Sequence, residues 1–407
     1  MIEIDEARAA VLERAQRLQV ETVALTRALG RVLAVDVASE AAVPPFDSTA
    51  MDGFAVRHAD LQGARADAPA RLVLAGESRA GRPSSGALAQ GTAIAISTGA
   101  MLPEGADAVV ALEQAERCDG RVEVREQVPE GANIRRAGDD VRAGQAVLGA
   151  GRALGPAELG VLASLGRAEI ACVRRARVGV ITTGDELVAP GERLAPGQIY
   201  NSNAFSVAAL VRQCGAELAG VTAVGDEPQP TRAAIAQALA EVDVVVLCGG
   251  VSVGEHDHVR RALAELDVRE RFWGVAVKPG KPTWFGARER KLVFGLPGNP
   301  VSAMVTFALF TAPALRALEG RAQVRRRASA LLAHEYRKGA GRAHALRCRL
   351  RMGARGLEAE SAGDTGSHVL TSMLGAQALA LIPSGCEHMR AGSRVELELL
   401  GEPALNR

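Results

Sequence analysis

Val244-Val-Val-Leu247-Cys-Gly249-Gly250-Val-Ser252-Val-Gly254-Glu255-His-Asp257 is the stretch that decides the fold. Consecutive aliphatic residues giving way at once to glycine, hydroxyl and carboxylate residues describe a short strand buried on both faces and ending in a polar loop. The pattern recurs on either side. Val178-Gly-Val-Ile181 precedes Thr-Thr-Gly-Asp185-Glu186, Val221-Thr-Ala-Val224 precedes Gly-Asp226-Glu227-Pro, and Leu292-Val-Phe294 precedes Gly295-Leu-Pro-Gly298-Asn299-Pro300-Val-Ser302. Helical patterns fill the gaps at 204–213, 231–240 and 259–266, with Asn203 and Thr231 as N-cap candidates. Strand, loop and helix in alternation predict a doubly wound parallel α/β domain, which binds ligands beyond the carboxyl ends of its strands. All four polar loops fall at that edge.

The lysines point to what the edge holds. Of 48 basic residues only four are lysine, and two of them sit three apart in Val277-Lys278-Pro279-Gly280-Lys281-Pro282. An ammonium is a compact charge that aims at one anionic oxygen, whereas guanidinium is a planar fork. Glycine admits close approach of a ligand to the backbone, and helix N-termini favour anions; Gly249 to Gly254 and Gly295 to Ser302 suit both roles. A Walker loop is excluded, because Glu255 follows where lysine and a hydroxyl are needed, and there is no G-x-G-x-x-G run. Asp185, Glu186, Asp226 and Asp257 add hard oxygen donors at the same edge, which suits a magnesium ion held partly through substrate phosphates. The sum is a pocket for a phosphorylated substrate and a metal.

Composition bounds the remainder. The 407 residues allow two to four domains, with aliphatic cores given 48% hydrophobic but only 3% aromatic content. A net charge of +1 offers no footprint for nucleic acid or membrane. Six dispersed cysteines without C-x2-C pairs read as reduced thiols of a cytoplasmic protein, and His256 and His258 alone do not make a zinc site. No basic leader and no apolar run of membrane length are expected. Asp5 is expected to cap a helix running to about Arg17, with a second helix over 25–35; short strands at 71–74, 92–97, 108–112 and 121–124 suggest a separate β domain, and helix returns at 156–165. Arg321 to Arg327 reads as a solvated linker before β patterning at 343–350 and 395–399. Four domains follow: a helical linker domain (1–43 plus 147–175), an inserted β domain (44–146), the α/β domain (176–322) and a small C-terminal β domain (323–407).

Eight segments in order carry a resemblance: Asp47-Ser-Thr-Ala-Met-Asp52-Gly-Phe-Ala, Ser97-Thr98-Gly-Ala, Asn133-Ile-Arg-Arg-Ala-Gly-Asp-Asp140, Thr183-Gly-Asp185-Glu186-Leu, Gly249-Gly-Val-Ser-Val-Gly254-Glu, Lys278-Pro-Gly-Lys281-Pro, Gly295-Leu-Pro-Gly-Asn-Pro-Val-Ser302 and Gly366-Ser367-His368. Together they resemble the molybdopterin molybdenumtransferase (MoeA) family, to which the gephyrin E domain also belongs. The resemblance implies an α/β domain of molybdopterin-binding type, a C-terminal β-barrel and a homodimer whose active site faces the other subunit's β domain. It further implies insertion of molybdenum from molybdate into adenylylated molybdopterin, with magnesium-dependent release of AMP. The molybdopterin adenylyltransferase and apo-molybdoenzymes would be its partners.

Carried over by motif, Lys278, Lys281, Pro282, Ser302, Arg342 and Ser367 would form the oxyanion site. Gly249, Gly250, Ser252, Gly298, Asn299 and Pro300 would contact the rest of the substrate. Asp185, Glu186, Asp226 and Asp257 would hold the metal and orient the phosphoanhydride, while Asp52, Thr98 and Asp140 would contribute to activity across the dimer. Departures are small: Phe54 stands where tyrosine is common, Asp139 where glutamate is frequent, and histidines flank Asp257. Two competing readings are a nucleotide hydrolase or adenylyltransferase on a related α/β domain and a gephyrin-like scaffold; the absence of long appended linkers counts against the second.

Overall fold

The computed structural model describes residues 1–250, 258–322 and 325–401. Ser252 and Asp257, both candidate site residues, lie outside the described residues. Two compact units are present: one built from residues 1–35, 150–155 and 169 onward, the other from 36–149 and 156–168.

The first unit contains the α/β sheet. Its strands run in the order Glu217–Val224, Arg177–Thr183, Val244–Cys248, Lys291–Leu296, Trp284–Arg288 and Arg269–Trp273. The first four are parallel, with Val180 opposite Val246 and Val246 opposite Phe294, and the last two are antiparallel additions. The aliphatic run is buried on both faces as its composition requires: Val244, Val246 and Cys248 pack into one core, while Val245 and Leu247 pack into the other. Burying each such side chain is worth about 1.5–3 kcal/mol.

Helix starts differ in detail from expectation. Asn201, not Asn203, caps Ser202–Gln213, its side chain accepting from the Ala204 N–H at 3.1 Å. The Pro228–Glu241 helix begins a turn before Thr231, because proline suits the first helical positions, and the Thr231 hydroxyl donates instead to the Gly225 carbonyl. Pro300–Leu318 forms a helical run of 19 residues with a π-turn at Phe307–Thr311. Contrary to the sequence expectation, this segment is long and apolar enough to cross a membrane, but 83% of it is buried inside the fold. Packing against the sheet explains its composition.

Between the two antiparallel strands, residues 274–283 leave the sheet. There Val277 and Lys278 pair in parallel with Ala343 and His344, the start of a long strand of the C-terminal region. That region is a closed five-stranded barrel of Arg327–Leu332, Gly356–Ser361, Ala343–Gly353, Ala378–Ile382 and Arg394–Leu399, filled by Leu346, Leu350, Ala380, Val395 and Leu397. Lys278 is therefore held opposite His344, two residues after Arg342.

Three further expectations are corrected. The first helix spans Ile4–Arg14, and Asp5 bonds Arg8 rather than capping it. Residues 25–35 are not a helix: β-branched Val20–Ala24 and Val32–Leu33 flank Glu169–Val173 in a three-stranded sheet, joined by a short 3-10 turn. The arginine-rich stretch is not a solvated linker, since Arg321 pairs with buried Glu319 and Arg325 with buried Glu398. An unpaired buried carboxylate is costly, so these arginines are drawn inward.

The second unit is a six-stranded sheet ordered Ala108–Ala111, Gly53–Val56, Thr92–Ile96, Ala70–Ser78, Arg121–Val124 and Ala115–Cys118. Phe54, Leu61, Leu72, Val110, Val122 and Val124 fill its core. Burial of Phe54 accounts for its ring standing without a hydroxyl. The Pro156–Ser164 helix belongs to this unit.

Candidate functional site

Two cavities open at the carboxyl edge of the parallel strands. One, of about 520 Å³, is lined by Lys278, Lys281, Pro282, Ser302, Arg342 and Ser367, among others. All six residues assigned by resemblance to the oxyanion site thus come together. The other, of about 740 Å³, takes its walls from Thr183, Gly184, Glu186, Asp226, Gly249, Gly250, Gly298, Asn299 and Pro300 among others. Pro282, Pro297, Asn299 and His368 line both, so the cavities form one cleft.

The fate of the four lysines separates structural from available charge. Lys291 donates to the Val242 carbonyl at 2.6 Å, and Lys338 donates to the carbonyls of Arg342 and Ser384 at 2.9 and 3.1 Å. Among the described residues, the ammonium groups of Lys278 and Lys281 and the guanidinium of Arg342 have no hydrogen-bond or ion-pair partner. Three cations left unpaired around one cavity repel one another and attract a dianion or trianion.

The neighbouring imidazole stays out of the way. His344, paired in register with Lys278, is buried, bonded to the Tyr336 hydroxyl, and pushed down to about 4 by burial and by Lys278, Arg347, Lys338 and Arg342. It is neutral at physiological pH and adds no fourth charge.

Backbone geometry shapes the second cavity. A side chain at Gly249 would meet the Thr183 carbonyl at 2.8 Å, and one at Gly250 the Val259 side chain at 2.5 Å, so both positions demand glycine. Among the described residues the buried Thr183 hydroxyl has no partner. Asn299 precedes the Pro300 helix but does not cap it; its amide donates to the Ser367 hydroxyl at 3.1 Å, and the Val301 N–H goes to the Ser367 carbonyl. Asn203 donates to the Gly298 carbonyl at 2.7 Å, fixing the same loop. Cys248 lines the cavity as a neutral thiol, pushed up to about 12 by burial.

The carboxylates lie at the far end. Glu186 and Asp226 line the larger cavity, and Asp185 accepts the Asp226 backbone N–H at 3.0 Å. Among the described residues no cluster of three or more histidine, cysteine or acidic side chains is arranged to hold a metal by itself. Such a sparse set of hard donors fits magnesium, which keeps several waters and takes its remaining ligands from substrate phosphates.

In the other unit, Asp52 accepts from both the N–H and the hydroxyl of Thr98, at 2.7 and 2.9 Å. Those bonds hold its carboxyl below the usual range although it is exposed. Asp140 is exposed, with its N–H bonded to the Val43 carbonyl. Arg136 pairs not with Asp139 or Asp140 but with Asp47, at 2.6 Å; Asp139 accepts the Arg136 backbone N–H instead.

Sequence reasoning missed Arg347. Buried in the barrel, its guanidinium donates to the carbonyls of Asp364 and Gly366, while its Nε and Nη1 are buried with no partner among the described residues. It grips the loop that carries Ser367 into the cleft. An arginine set between Ala345-Leu346 and Cys348 was the available signal, masked by Arg349 and Arg351 further along the same strand.

A molybdopterin-binding type α/β domain with a cationic cleft at its strand ends, a second unit built on a six-stranded sheet and a C-terminal barrel define the class. Family models match residues 2–166 as the MoeA N-terminal region (domain I and II), 179–317 as "Probable molybdopterin binding domain" and 329–400 as the MoeA C-terminal region (domain IV), so the chain belongs to the MoeA family. The molybdopterin molybdenumtransferase of Haemophilus influenzae is 38% identical over 98% of both chains. Molybdopterin molybdenumtransferase 2 of Mycobacterium tuberculosis is 40% identical over 79% of this chain and 80% of its own. The crystal structure of the molybdopterin biosynthesis MoeA protein from Pyrococcus horikoshii superimposes with a TM-score of 0.82 at 33% identity, covering 98% of this chain and 99% of that one.

Proposed function

We propose that this protein is a molybdopterin molybdenumtransferase acting in molybdenum cofactor biosynthesis. In this reading it takes adenylylated molybdopterin and molybdate, transfers molybdenum to the dithiolene and releases AMP. The observation that carries the reading is the set of unpaired cations, Lys278, Lys281 and Arg342, around a cavity that also presents the Ser302 and Ser367 side chains. Fixed point charges and hydroxyls of this kind hold a small tetrahedral dianion without reorganising. The larger cavity, with its glycine-lined floor, takes the pterin and the phosphoanhydride.

Magnesium, held by Glu186 and Asp226 with Asp185 and Asp257 in support, would supply positive charge to the phosphoanhydride when bound. This chain's own residues bind the two reactants side by side, exclude water from the junction and orient the dithiolene towards the oxyanion, so proximity and electrostatics carry the rate. We assign Asp52, Thr98 and Asp140 to the cleft of the other subunit in a homodimer, and a cytoplasmic location to the whole.

Equilibrium dialysis against molybdate, with metal analysis of the protein compartment, tests the oxyanion site directly. Wild type should retain molybdate and Lys281→Ala should not. Equal retention by both proteins would remove Lys281 from the site.

A further inference from the structure

The four residues that line both cavities are two prolines, an asparagine and His368. Of these only the imidazole has ring nitrogens that can both accept and donate a proton. The loop that carries His368 is tied down on several sides. A Cβ at Gly366 would lie 3.1 Å from His368 Cε1 and 3.0 Å from the Val369 side chain, so glycine lets the ring lie close over this backbone. The Gly366 N–H is tied to Asp364 at 2.7 Å, and the buried Arg347 guanidinium holds the carbonyls of both Asp364 and Gly366. Among the described residues the imidazole itself has no hydrogen-bond or ion-pair partner. A loop this well anchored, carrying an uncommitted imidazole to the seam of the cleft, needs a reason.

The chemistry of the proposed reaction, on which this inference rests, provides one. A protonated dithiol and molybdate exchange one oxygen for two sulfurs: two S–H and one Mo–O linkage break, two Mo–S bonds and two O–H bonds form, and one water leaves. Molybdenum stays hexavalent throughout, so no oxidant or reductant is needed. Both protons of that water originate on sulfur, in the larger cavity, and must reach an oxygen held in the smaller one. We propose that His368 is a catalytic residue that accepts a proton from a substrate thiol and delivers it to the departing molybdate oxygen, with Arg347 as a positioning residue for its loop. The charged groups that surround it are Glu186 and Asp226 on one side and Lys278, Lys281, Arg342 and Asp364 on the other. With cations facing the oxyanion, protonation of the leaving oxygen is the step the fixed charges do not themselves supply.

The test compares wild type, His368→Gln and His368→Ala in the full-length protein, reading molybdenum transferred to the pterin and, separately, molybdate retention by dialysis. The ring is exposed and its removal leaves the barrel core untouched. Both variants should retain molybdate as wild type does, yet transfer molybdenum about 100-fold more slowly at saturating molybdate, the usual yield of a placed acid-base group. Added imidazole should restore part of the rate in His368→Ala and none in His368→Gln. Transfer by both variants at the wild-type rate, or full recovery on raising molybdate alone, would overturn the proposal, the latter showing a binding role only. Wild type that retains molybdate but transfers none would instead remove the transferase reading beneath it.

Discussion

The two halves of the cleft share a wall and have opposite character. One is ringed by Lys278, Lys281 and Arg342, without partners among the described residues, beside an Asp364 that is tied to the Gly366 N–H; the other offers carboxylates, Glu186 and Asp226, and a glycine-lined floor. Two anionic reactants repel each other, and each needs its own counter-charge before they can meet. In the smaller cavity that charge is built into the chain. In the larger one, under the proposed reading, magnesium drawn by the carboxylates would supply it. The difference explains why a protein that otherwise relies on arginine keeps lysine here, and why its other lysines are tied to carbonyls.

Disabling the fixed half should have the largest effect. Lys278→Ala combined with Lys281→Ala should lower molybdate-dependent AMP release by at least about 100-fold, as loss of preorganised charge does elsewhere. Lys291→Ala, which removes a contact with the Val242 carbonyl, should leave it near wild type. Equal losses in the two proteins would erase the distinction between free and tied lysines. Weakening the metal half should be milder: Asp226→Asn should raise the magnesium concentration needed for half-maximal rate about 10–100-fold, with molybdate retention unchanged. A change in molybdate retention instead would mean the halves are not separate.

Smaller again is the effect of loosening a wall. Lys338→Met releases the carbonyls of Arg342 and Ser384, and the apparent KM for molybdate should rise about 10-fold through misplacement of Arg342. An unchanged KM with a lower kcat would assign Lys338 to the chemistry rather than to the wall.

Outside the cleft, charge serves stability. Burial alone would push the Asp243 carboxyl up, but bonds from Arg174, both at 2.7 Å, and from the Arg177 N–H hold it below its ordinary value. A depressed folded-state value means the contribution is complete above the ordinary carboxylate range and fades as pH falls through the folded one. Asp243→Asn should therefore cost about 1–3 kcal/mol at pH 7, with the gap to wild type closing in acid. Urea unfolding at both pH values checks the sign, and a gap that widened in acid would reverse it.

How much of this was legible beforehand depends on the range of the interactions. Val244 to Gly250 announces a doubly buried strand and a tight loop from neighbours alone, and the four parallel strands follow. The antiparallel pair 269–273 and 284–288 did not, since Phe272 opposite Phe285 is a long-range match with no local signature. Residues 25–35 show the opposite error: their apolar spacing suits a helix, but a 3-10 turn at Leu25–Arg27 and pairing of Val32 and Leu33 with Val173 and Cys172 override it. In the cleft, Lys278 and Lys281 stood out by composition and Arg342 and Ser367 by motif. Arg347 and Lys338 act through backbone carbonyls that only the folded chain brings within reach.

AMP release from adenylylated molybdopterin, measured with and without molybdate and with and without magnesium, tests the central claim most directly. Release that requires both ions in wild type, and is lost on Lys281→Ala, is the predicted result. Release that ignores molybdate while ATP is turned over would contradict the account and leave only a phosphate pocket.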